Sequence, residues 1–181
     1  MTIPTAVTTE RLLLRPPVVG DAQAILEEYA GDPEVTRFLN WQPHESVDTV
    51  REFLEQQVEA VRTGALYMWV VCVKPGDRPV GMIEFRRQGH SILVGYVLAR
   101  RCWSQGLLAE ALAPLVRSAL AEPEIFRVWA FVDVENRASG RVLEKSGMQF
   151  EGILRRWWVA PNIEAAPRDC ACYSAVEDPS R

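Results

Sequence analysis

From Ser46 to Gly64 the apolar residues Val47, Val50, Phe53, Leu54, Val58 and Val61 recur every three or four positions, which predicts a helix capped by Ser46. The period then shortens. Residues 66–73, 79–87 and 91–99 are three strand-like runs joined by the short turns KPGD and QGH, the pattern of an antiparallel meander. Helical spacing returns with Leu107, Leu108, Ala111, Leu112, Leu115, Val116 and Ala119. Pro114 falls inside that run and removes one backbone hydrogen bond, so a kink is expected around 110–114. Beyond it, FRVWAFVDV reads as a strand, NRASGRVLEKSGM as a helix ended by Gly147, and FEGILRRWWVA and RDCACYSAV as two more strands around the loop PNIEAAP. Before it, RLLLRPP at 11–17 is a strand. Asp21 can cap a short helix carrying Ile25, Leu26 and Tyr29, and Asp32-Pro33 can open another.

A length of 181 residues with 48% hydrophobic content suits one well-buried core, so a single domain is expected over residues 7–177, with 1–6 and 178–181 as flexible termini. The net charge of −4 disfavours a nucleic-acid polyanion as a general partner. The opening MTIPTAVTTERLLLRP lacks a basic stretch followed by an apolar core, and no apolar run has the length of a membrane span, which points to the cytoplasm. Cys72, Cys102, Cys170 and Cys172 form no C-x-x-C pair. Cys170 and Cys172 would share one face of a strand, so free thiols are expected; His44 and His90 stand alone, so no metal site is expected.

The chemistry begins at RRCWSQGLLAEAL, residues 100–112, where a strand passes through a turn into a helix. Unpaired N–H groups at a helix start, the helix dipole and the close approach allowed by Gly106 together suit an anion such as a phosphate. The same residues also fit a plain turn, with Ser104 as cap and Gly106 as its bend. A second segment, NRASGRVLEKSGM, again follows a strand, and Asn136 can either cap its helix or reach a ligand lying between the two strand ends. Arg137, Arg141 and Lys145 share one face of that helix, as phosphate contacts or as a solvated stripe. Phe38, Trp41, Trp157 and Trp158 are large aromatics able to line a cleft or to pack in a core; adjacent tryptophans on a regular strand point to opposite faces.

Six ordered blocks, TERLLLRP, VGYVLA, WSQGLLAEAL, NRASGRVLEKSGM, FEGILR and RDCACYS, together resemble the GNAT family of N-acetyltransferases, most closely its RimJ/RimL-like branch. The resemblance implies an α/β fold: a mixed, mostly antiparallel seven-stranded sheet, split between strands 4 and 5 and flanked by helices, with acetyl-CoA in the gap. It implies that Trp103, Ser104, Gln105, Gly106, Leu107 and Leu108 surround the pyrophosphate. It places Asn136, Ser139 and Arg141 along the cofactor, and gives backbone N–H groups near Tyr96, Val97 and Leu98 the thioester carbonyl. The branch usually reads W-G-K/Q-G-Y-A in the first turn, where this chain has Ser104 and Leu108. The tyrosine that protonates the leaving thiolate in many members is Leu143 here, and Ser139 takes its place. The branch's base falls near Val159, which cannot serve; Glu84, Asp133 and Glu135 are the candidate carboxylates, Glu84 and Asp133 as bases and Glu135 beside the acceptor with Phe38, Trp41 and Trp157. The implied activity is direct acetyl transfer to a primary amine, either a protein N-terminus such as that of a ribosomal protein or a small molecule, with self-association into a homodimer left open. A non-catalytic acyl-CoA-binding or regulatory module is the alternative.

Overall fold

The computed structural model describes residues 3–64 and 66–176. Its elements run β1 (Val7–Thr8), β2 (Leu12–Arg15), α1 (Ala22–Ile25, continued by a π-helical turn Leu26–Ala30), α2 (Pro33–Thr36), α3 (Val47–Arg62), β3 (Tyr67–Val73), β4 (Pro79–Gln88), β5 (Ser91–Leu98), α4 (Leu107–Leu120), β6 (Arg127–Asp133), α5 (Arg137–Lys145), β7 (Gln149–Trp158) and β8 (Arg168–Val176). They build one eight-stranded sheet of order β1-β2-β3-β4-β5-β6-β8-β7. The expected count was seven. The additional strand is β1, two residues paired with Leu13 and Leu14, too short to leave a period in the sequence.

Every neighbouring pair in the sheet is antiparallel except β5 and β6. These run parallel and pair only at Ser91↔Arg127, Ile92↔Val128 and Leu93↔Trp129. Beyond that point β5 continues to Leu98 and β6 to Asp133 without pairing to each other, so the sheet opens into a wedge. With β1 added to the count, this is the split expected between the strands at 91–99 and 126–134.

Register assigns the two faces. Trp69, Ile83 and Tyr96 lie opposite one another across β3, β4 and β5 and so share a face, whereas Met68, Glu84 and Gly95 share the other. On the first face α5 brings Ser139 to Tyr96. Gly140 lets that helix sit close to β8, since a Cβ there would fall 2.7 Å from Tyr173 Oη. The second face carries Arg15, paired in register with Val70, and α1 and α3 lie against β4 and β3.

Asp32 and Ser46 cap α2 and α3 as their sequence positions predict, accepting from Glu34 N–H at 2.9 Å and Thr49 N–H at 3.3 Å. Asp21 does not cap α1. Its carboxylate turns back to accept from the Val18 N–H at 2.9 Å and from Arg15 at 2.7 and 2.9 Å, a nearly buried ion pair that outcompetes a cap. Helix α4 is continuous from Leu107 to Leu120, with Pro114 inside it. The four cysteines are free and buried.

Residues 3 and 4 depart from the frayed N-terminus expected over 1–6. Ile3 is buried and its N–H donates to Glu122 Oε1 at 3.1 Å, while the Pro4 carbonyl accepts from Trp69 Nε1 at 3.0 Å. The rest of the expected loose ends, residues 1–2 and 178–181, lies outside the described residues. No helix among the described residues is long and apolar enough to cross a membrane.

Candidate active site

The turn after β5 is held from behind. Trp103 Nε1 donates to the Leu98 carbonyl at 2.7 Å, Gln105 Nε2 to the Arg101 carbonyl at 2.8 Å, and Arg11 Nη1 to the Gln105 carbonyl at 3.0 Å. Arg11 is itself fixed by Glu110 on the first turn of α4, at 2.6 Å. Gly106 takes φ +75° at the start of α4, and no described residue accepts from the N–H groups of Gln105, Gly106, Leu107 or Leu108. Four such donors at a helix start, with Arg11 Nη2 3.8 Å from where a Gly106 Cβ would stand, fit a phosphate or diphosphate. The side chains of Leu107 and Leu108 point into the core, so only their backbone faces this mouth. Leu108 therefore does not crowd it. Arg11 was not among the expected site residues, since it lies far away in the chain and only the β2 edge brings it here.

Ser104 adopts φ +59°, in the left-handed region where the branch's usual residue is glycine. A non-glycine residue there costs on the order of 1 kcal/mol. Ser104→Gly should accordingly raise stability by up to about 1 kcal/mol, less the extra freedom it gives the unfolded chain. Urea denaturation of the two proteins measures this, and a lower midpoint for the variant would show that the serine side chain stabilises the turn.

The wedge has a polar wall. Tyr96, past the last β5–β6 pair, places Oη 2.6 Å from Ser139 Oγ and 3.1 Å from the Ser139 carbonyl. Burial, the largest influence on it, pushes the Tyr96 phenol well above its ordinary range, with the hydrogen bond between Tyr96 and Ser139 acting against it. Asn136 Oδ1 accepts from the Ser139 N–H at 3.2 Å, so of its two expected roles it fills the cap. The Ala99 N–H donates to Val80 on β4 at 2.7 Å. By strand alternation the Val97 N–H also faces β4, leaving those of Tyr96 and Leu98 to face the wedge. Val97 is thus removed from the three expected backbone donors.

The three candidate carboxylates are all engaged by arginines. Glu84 lies on the face opposite Tyr96, with both oxygens 2.9 Å from Arg86 nitrogens. Asp133 is buried, accepts from Arg168 at 2.5 and 3.2 Å and from the Glu135 N–H at 2.9 Å, and Glu135 reaches Arg168 at 3.0 Å. Glu84 and Asp133 are therefore both tied up in arginine ion pairs in this structure. Arg141 and Ser139 leave α5 in different directions. Arg141 lines, with Arg137, Gly140, Glu144 and Tyr173, a cavity of about 230 Å³ on the β8 side of α5, while Ser139 turns to β5.

The aromatic residues form two groups. Trp157 and Trp158 both pack on Phe131, at ring-centre distances of 6.0 and 4.8 Å, contrary to the alternation expected of a regular strand. A bulge between Leu154 and Trp158, with Arg156 at φ +50°, rotates them together. Trp41 packs against His44, and the Arg37 guanidinium lies over Phe38. No ring contact among the described residues joins the two groups. Asn162, from the β7–β8 loop, bridges towards the second by donating to the carbonyls of Thr36 and Trp41, each at 2.7 Å.

Residues 11–149 match the acetyltransferase (GNAT) domain family. The chain is 31% identical over 150 residues to the uncharacterized N-acetyltransferase p20 of Bacillus licheniformis, a match covering 81% of this chain and 84% of that protein. Among solved structures, the microcin C7 self-immunity acetyltransferase MccE, in complex with acetyl-CoA and AMP, superposes with a TM-score of 0.85 at 17% identity, covering 97% of this chain and 98% of that one. The ribosomal L7/L12 alpha-N-protein acetyltransferase RimL, in complex with coenzyme A, gives 0.82 at 19% identity with the same coverage. These two likenesses concern the fold. Together with the split sheet and the open helix start beside it, the family match means that this chain belongs to the GNAT family of acetyltransferases.

Proposed function

We propose that the chain, acting as one domain over residues 7–177, transfers an acetyl group from acetyl-CoA to a primary amine by direct attack in a ternary complex. The observation that carries this reading is the wedge between β5 and β6, with four free N–H groups and Arg11 at one rim and Ser139 on its wall. Acetyl-CoA would supply an activated acyl carbon as a thioester. Gln105 to Leu108 and Arg11 hold its diphosphate, the Tyr96 or Leu98 N–H donates to the acyl oxygen where negative charge develops, and Ser139 gives a proton to the departing sulfur. With the cofactor at the α4 mouth, the amine enters from the other side of the wedge. A cytoplasmic location accompanies this reading.

The acceptor follows from the engaged carboxylates. Glu84, Asp133 and Glu135, the candidate carboxylates, are held in ion pairs by Arg86 and Arg168. Without a free base, an amine that is already partly neutral is preferred. An α-amine has a pKa of about 7.7–8.0 against about 10.4 for lysine, so a peptide N-terminus or a small amine of low pKa should outrun a lysine side chain. RimL, named for α-N-acetylation of a ribosomal protein, shares the fold and supports a peptide N-terminus. A peptide with a free N-terminus and an internal lysine, treated with protein and acetyl-CoA and read by mass spectrometry, should carry acetyl on the N-terminus, with kcat/KM rising as pH passes the α-amine pKa. Acetylation mainly on lysine would require a base elsewhere.

A further inference from the structure

The scheme above uses only the backbone of Tyr96, whose side chain stands on the wedge wall. Its Oη has two acceptors within reach, Ser139 Oγ at 2.6 Å and the Ser139 carbonyl at 3.1 Å. That carbonyl lies in α5, whose ladder supplies it with a donor four residues on. Oγ is both the nearer partner and the one lacking a helical donor, so the Tyr96 proton goes there. When Tyr96 donates to Oγ, the remaining Ser139 proton is free to point away from the phenol. In the opposite arrangement Ser139 would spend its proton on Tyr96 and have none for a ligand.

Resting on the transferase reading, we propose that Tyr96 is a positioning residue: its phenol donates to Ser139 Oγ, fixes the hydroxyl on the wedge wall, and aims the Ser139 proton at the leaving sulfur. In the step it serves, the amine nitrogen bonds to the acyl carbon and the carbon–sulfur bond breaks. The sulfur takes the Ser139 proton, Oγ recovers one from water, and the nitrogen releases one to water, so one proton is lost and one gained overall. Oγ recovers its proton as it gives one up, and the hydrogen bond from Tyr96 steadies the partial negative charge that develops on it during the transfer. The phenol's buried position keeps it protonated, hence a donor, throughout the working range.

The test uses Tyr96→Phe, Ser139→Ala and the double variant, with acetyl-CoA and hydroxylamine as the probe acceptor. Tyr96→Phe should lower kcat by about 10-fold or more while leaving KM for acetyl-CoA within about twofold, and should add nothing in the Ser139→Ala background. Without any ligand, urea midpoints should also be non-additive, the double variant losing less than the two single losses together. An unchanged kcat for Tyr96→Phe beside an active wild type, or additive effects on rate or stability, would overturn the inference alone. Absence of wild-type turnover would overturn the transferase reading and this inference with it.

Discussion

Gly106→Val should abolish the thermal stabilisation that acetyl-CoA gives the wild-type protein. A ligand present at 100 times its Kd stabilises the native state by about 2.7 kcal/mol, which in a chain of this size is a Tm increase of about 5–10 °C. The diphosphate must approach the backbone at 105–108, where Gly106 holds φ +75° and no neighbour lies within 3.8 Å of its open side. A β-branched residue disfavours that φ strongly and places methyl groups where the anion is to sit. The quantity to compare is the shift on adding ligand rather than the Tm itself, because the variant is also strained. Cys102→Ser, one turn earlier and buried, should keep the shift. If the serine variant loses it and the valine variant keeps it, the phosphates bind elsewhere.

The second large effect concerns the wall. Ser139→Ala should lower kcat by about 10 to 1000-fold, the usual span for a general acid, with little change in acetyl-CoA binding. The expectation rests on Leu143, the residue at the family's tyrosine position, being buried and apolar, so that it supplies no proton. Binding is spared because the α5 cap is made by Asn136 to the residue-139 backbone, which the substitution leaves intact. Unchanged kcat would mean that the thiolate departs unaided or is protonated by water.

What could be read along the chain follows the range of the interactions. Helix α3 and the strand meander are local, carried by periodicity and by the Ser46 cap, and they stand where the pattern puts them. The turn into α4 is local too, marked by Gly106 at a helix start. The side chains that decide its surroundings come from far away. Arg11 reaches Gln105 from 94 positions earlier, and Arg168 reaches Asp133 from 35 positions later. No period announces such pairs, so the sequence shows neither Arg11 at the turn nor the arginine that holds Asp133. Tyr96 was noticed for its backbone alone, since only the opening of the sheet beyond Leu93 brings its phenol to Ser139. The tryptophan pair failed for a different reason: a bulge breaks the alternation on which its reading depended.

The central claim is that the wedge performs acetyl transfer rather than merely holding an acyl-CoA. Purified protein, acetyl-CoA and a panel of amines including peptides with free N-termini should release free thiol only when an accepted amine is present, with one acetylated product for each thiol. Acetyl-CoA binding that raises the Tm without thiol release for any amine would contradict the account and make the chain a non-catalytic acyl-CoA-binding module.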